Sequence, residues 1–174
     1  VSVQWEEGRP VAINGIRMPL TELFHFCNDI AGRNGVGIGT HVVENRFVGI
    51  KSRGLYESPA MELLGASYEF LLQFILDRRA REHYESLSNL ISRQIYQGYW
   101  LDVTTTSALS AMESFNKLAT GTINLKIYKG SIFFETADDT NESMPYSLYT
   151  DDGSMEGVGA YNHMDAEGFM NVLG

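Results

Sequence analysis

From Pro59 to Ala119 the apolar residues keep a helical period through three successive runs, with no strand pattern between them. This block constrains the fold more than any other feature. The first run carries Leu63, Leu64, Tyr68, Leu71, Leu72 and Ile75, and the second Tyr84, Leu87, Leu90, Ile91 and Ile95, ending near Gly98. The third spans Thr104 to Ala119, with Thr or Ser as its expected cap. The charged cluster DRRARE is read as the divider between the first two. A doubly wound sheet alternates single strands with single helices, and three helices in a row fit that plan poorly.

The flanks supply the strands. VSVQW alternates apolar and polar residues, EEGRP turns, and VAING continues, which together predict a hairpin. Pro19 opens a helix carrying Leu20, Leu23, Phe24, Cys27 and Ile30, and Gly32 is its expected stop. GRNGVGIGTH reads as a glycine-rich loop and HVVENRFVGIK as a strand. TINLKIYKGSIFFET predicts a second hairpin turning at Lys129-Gly130, with Ile123, Leu125 and Ile127 on one face. Beyond Glu135, ADDTNESMPYSLYTDDGSMEG is rich in turn formers and acids, as a long irregular segment would be. The order of elements is that of an α+β fold, a mixed or antiparallel sheet packed with helices, in a single domain over residues 1–174.

Composition narrows the function. A net charge of −9 repels phosphate backbones and anionic headgroups, so neither nucleic acid nor a membrane is an expected partner. No run approaches the ~18 apolar residues of a membrane span. Cys27 is the only cysteine, which fits a reducing cytoplasm, and its helical setting reads as a small core residue. Val1 falls in what reads as mid-strand and Gly174 directly follows a helical run, so a piece of a longer protein is expected.

Several motifs tempt. Gly32, Gly35, Gly37 and Gly39 lie after a helix and before a strand, the reverse of a dinucleotide fingerprint, and their spacing fails as well. A tight helix-to-strand connection is the better reading. His25, His41, His83 and His163 lie far apart with no second ligand at helical spacing, and no G-x-S-x-G elbow occurs, so neither a metal site nor a catalytic nucleophile is expected. The stretch VENRFVGIKSRGLYESP, Val43 to Pro59, is crowded with Glu44, Asn45, Arg46, Lys51, Arg53, Tyr56 and Glu57. Two readings stand. Its charges are a solvated sheet edge, or Ser52-Arg53-Gly54 turns the chain back so that Glu44 and Tyr56 converge on one pocket. A carboxylate and a phenol there suit the ammonium or amide end of an amino acid.

Gly35-Val36-Gly37, Val43-Glu44-Asn45-Arg46, Lys51-Ser52-Arg53-Gly54, Tyr56-Glu57 and Pro59 together resemble the carboxyl-terminal half of the argininosuccinate synthases. IYQGYWLD, TGTINLKIYKG, Ser147-Leu148-Tyr149 and DAEGFMNV extend the likeness over the whole chain, and the insert MELLGASYEFLLQFILDRRAREHYE resembles the bacterial subgroup. Two departures are visible. Asn34 stands where many members have His, and the loop Ile38-Gly39-Thr40-His41 differs and is one residue longer than the common pattern, so no binding role is carried onto it.

The resemblance implies an ATP-dependent C–N ligase of arginine biosynthesis, an α+β fold of that family's carboxyl-terminal type, and a homotetramer. It implies citrulline, aspartate and Mg-ATP as substrates. The ureido oxygen of citrulline attacks the α-phosphate of ATP, and the amine of aspartate then displaces AMP. The ATP loop and the aspartate site belong to an amino-terminal domain absent from this chain, so the chain alone is expected to bind no nucleotide and to be inactive. Glu44 and Tyr56 match citrulline-binding positions, and no catalytic residue carries over. The alternative is an oligomerisation module, with Tyr96, Trp100, Tyr146, Tyr149 and Tyr161 suited to burial against another subunit.

Overall fold

A computed structural model describes residues 1–44, 48–139 and 163–173. The first hairpin joins β1 (Ser2–Glu6) to β2 (Arg9–Ile13) through Glu7 and Gly8, both with positive φ, the primed-turn geometry that suits two-residue hairpins. A two-residue strand, β3 (Ile16–Arg17), extends it; two residues are too short for an alternation to register in the sequence. Helix α1 (Leu20–Arg33) follows, with Pro19 just outside it as the N-cap. It runs past the expected stop at Gly32, and the left-handed turn falls on Gly35 instead.

Two strands come next, β4 (Ile38–Glu44) and β5 (Lys51–Glu57), paired antiparallel as a separate two-stranded ribbon. The expected reversal at Ser52-Arg53-Gly54 is thereby corrected: those residues lie inside β5. Lys51, Ser52 and Arg53 all adopt extended pairing with β4, and a lone glycine after them does not break a strand whose partner is in register.

Helices α2 (Pro59–Ile75), α3 (Arg78–Gln97) and α4 (Val103–Asn116) are the predicted block. The DRRARE cluster stands at the break between the first two, as expected, but only its first residue lies outside a helix. The Asp77 carboxylate accepts the Ala80 N–H at 2.8 Å and caps α3, so the arginines form its first turn. Asp102 likewise caps α4, accepting from Thr105 N–H at 3.0 Å, in place of the expected Thr or Ser. Gly98, at φ 86, ends α3 in the left-handed conformation. Strands β6 (Gly121–Tyr128) and β7 (Ser131–Asp138) turn at Lys129-Gly130 as expected, both with positive φ. Helix α5 (His163–Leu173) is the last element described.

The fold is α+β. Five strands form one antiparallel sheet in the order β3-β2-β1-β6-β7. Val3, Trp5, Ile13, Ile123 and Leu125 point from it into the core, where Leu23, Cys27 and Ala31 of α1 and Leu63, Leu71, Leu72 and Ile75 of α2 meet them. Each such buried aliphatic contributes roughly 1.5–3 kcal/mol. The one indole N–H drawn into this core is satisfied, since Trp5 Nε1 donates to Ser67 Oγ at 2.9 Å. Asn28 ties the two helices together by accepting the Ala60 N–H at 2.9 Å at the start of α2.

Candidate functional site

The junction of α1, the ribbon and the β6–β7 turn forms a cleft of about 470 Å³, within the range of small-molecule sites. Backbone contacts build it. Gly130 N–H donates to Asn34 O at 2.6 Å, drawing the hairpin turn against the end of α1, and Ser58 N–H donates to Gly37 O at 2.8 Å, holding the start of α2 against the loop. A Cβ at Gly37 would lie 2.5 Å from Pro59 Cα, and Gly37 has φ +78, so the approach requires glycine twice over. This is the tight connection that the glycine spacing implied. The loop lies at the carboxyl end of α1, where carbonyls rather than amides are presented, an unfavourable place for phosphate.

Four elements and the α1–β4 connection line the cleft. The connection gives Gly35 and Gly37; β4 gives Ile38 and Gly39; β5 gives Tyr56; α2 gives Glu62, Ala66 and Phe70 beside its N-cap Ser58; the β6–β7 hairpin gives Gly130 and Ile132. Glu62, Ala66 and Phe70 recur every fourth residue, so one stripe of α2 forms a wall that is acidic at its first turn and aromatic further along. A phenol and a carboxylate above an apolar floor can orient a small molecule that carries a cationic or hydrogen-bonding end.

Tyr56 therefore stands on the cleft, half-exposed at 51%. Glu44 is the final residue of β4, paired with Lys51, while Tyr56 pairs with Gly39. Between these two pairs lie five register steps, about 17 Å of strand at ~3.4 Å per residue, so the register does not set Glu44 and Tyr56 opposite one another. Asn45 and Arg46 lie outside the described residues, as do Tyr146, Ser147, Tyr149 and Tyr161. Sequence reasoning missed Glu62 and the loop glycines as lining residues. The signal available for Glu62 was Pro59, whose place at the first helical position puts the next turn of helix directly after Tyr56. Among the described residues no group of three or more His, Cys, Asp or Glu side chains could hold a metal ion, and no helix is long and apolar enough to cross a membrane.

Residues 1–174 match the family described as Arginosuccinate synthase C-terminal domain. The chain belongs to that family. Curated relatives agree. An argininosuccinate synthase of Rhodopirellula baltica is 37% identical over 175 residues, covering 100% of this chain and 42% of the relative. One of Thermoanaerobacter pseudethanolicus is 38% identical, covering 100% and 41%, and one of Ehrlichia ruminantium is 34% identical, covering 99% and 43%. The argininosuccinate synthase domain described here thus spans about two-fifths of the length of these bacterial enzymes.

Proposed function

We propose that this domain supplies the citrulline side of an argininosuccinate synthase active site, while ATP and aspartate are held by the remainder of the enzyme. The observation that carries this reading is Tyr56 on the wall of the 470 Å³ cleft in a chain of this family. Glu44, a carboxylate at the end of β4, takes the α-ammonium of citrulline through a charge-assisted hydrogen bond. The Tyr56 hydroxyl, able to donate or accept, takes a second polar group of the same molecule. In this register the two are separate contacts, five steps apart along the ribbon, rather than one facing pair. The ureido oxygen is then directed at the α-phosphate of ATP, so the chain's contribution to rate is positioning.

The test is turnover. The full-length enzyme is expected to form pyrophosphate only when citrulline and ATP are both present and to release AMP only when aspartate is added, and the 174-residue chain alone to release neither. AMP formation that ignores citrulline would remove this reading.

A second reading is favoured by a separate observation and coexists with the first. α3 has no fully buried residue along its 20 residues, and from its last turn to the start of α4 the chain exposes Tyr96 at 82%, Trp100 at 60%, Leu101 at 92% and Val103 at 79%. Contiguous apolar surface of this kind marks an interface, here one between subunits of a homotetramer.

A further inference from the structure

We propose that Gly54 is a positioning residue for citrulline: its missing side chain is the seat of the Tyr56 ring. The inference rests on Tyr56 as a citrulline contact and explains how that phenol is aimed. Gly54 lies inside β5, opposite His41. Glycine weakens a strand interior, losing more conformational freedom than any other residue and offering nothing to pack, so its presence there has a local cause.

One usual cause is a left-handed backbone. Gly8, Gly15, Gly35, Gly37, Gly49, Gly98, Gly121 and Gly130 have positive φ, and Gly54 does not. The other cause is close approach, and at Gly54 the approaching group is a side chain. A Cβ placed there would lie 2.6 Å from Tyr56 Cε2 and 2.9 Å from both Cζ and the hydroxyl oxygen. Tyr56 is two positions on, so the two residues share a face of the strand. The ring lies back along β5 across the bare Cα of Gly54, which brings the hydroxyl over the ribbon.

The contrast with Gly37 decides what a methyl group would do. At Gly37 the obstructing atoms are backbone of Ser58 and Pro59, and the junction itself would have to shift. At Gly54 the three nearest atoms all belong to the far end of one side chain. Alanine at Gly54 leaves the strand in place and moves the phenol.

Steady-state kinetics of the full-length enzyme and its Gly54→Ala, Tyr56→Ala and doubly substituted forms test this. Gly54→Ala is expected to raise the citrulline KM roughly tenfold, the order of one lost hydrogen bond, with the ATP KM and the melting temperature unchanged. In the Tyr56→Ala background the same substitution is expected to change nothing further, because its target has gone. A normal citrulline KM in Gly54→Ala beside a raised one in Tyr56→Ala overturns the inference and leaves the Tyr56 assignment standing. Multiplying effects in the double substitution, or a Gly54→Ala protein that fails to fold, also overturn it. If Tyr56→Ala itself leaves the citrulline KM unchanged, the reading beneath fails and this inference with it.

Discussion

At the scale of single residues, Cys27, Tyr68 and Tyr84 show what burial does to groups that ionise by losing a proton. Cys27 lies between Leu23 and Ala31 on the buried stripe of α1, and burial pushes its thiol up to about 11 from 9.0. It is a packing residue, as its helical setting implied. Burial raises the Tyr68 and Tyr84 hydroxyls too; Tyr68 donates to Asn116 Oδ1 at 3.1 Å. All three groups hold their protons more tightly folded than unfolded. Their contribution to stability is therefore fully present below the unfolded pKa values and is lost as pH rises through the folded ones. The urea midpoint is expected to decline progressively between pH 9.0 and about 11, and Cys27→Ala to flatten the early part of that decline. A midpoint constant across that window would show that these groups are not buried as described.

At the scale of elements, the α3–α4 hairpin is the piece least explained by the chain's own core. The amphipathic stripe of Leu87, Leu90 and Ile91 is half-buried, and the exposed Tyr96, Trp100 and Leu101 lie at its end. Replacing Trp100 by Glu in the full-length enzyme is expected to shift sedimentation toward smaller species without loss of helicity, whereas an unchanged sedimentation coefficient would dissociate this patch from assembly. The periodicities of α1, α2, β1 and β6 were legible because each has a single buried face, such as Leu63, Leu71 and Ile75 on α2. The turn at Lys129-Gly130 was legible because a two-residue hairpin demands positive φ twice. The α4 cap was misassigned because Asp102 outcompetes the threonines beside it, and the capping role of Asp77 was missed because acid clusters look alike whether solvated or capping. The ribbon was misread because β5 is almost wholly exposed, leaving no alternation to distinguish a strand from a turn. The site was legible only as far as its residue types. Glu44 and Tyr56 were named from the chain, but their register and the part of α2 in the cleft depend on tertiary pairing.

At the scale of the whole molecule, the domain is a scaffold that sets a short two-stranded ribbon against a helix end and a hairpin turn. Backbone hydrogen bonds from Ser58 and Gly130 to the α1–β4 connection fix the cleft, leaving its specificity to a few projecting side chains. The chain covers 41–43% of the length of its relatives, and on the proposed function its share would be read in the full-length enzyme's affinity for substrate. The most direct test is the citrulline KM of the full-length Glu44→Ala enzyme, measured beside its ATP KM. The account predicts a citrulline KM raised at least tenfold, as expected when a charge-assisted hydrogen bond is lost, with ATP little changed. Equal changes for both substrates, or none for citrulline, would contradict it.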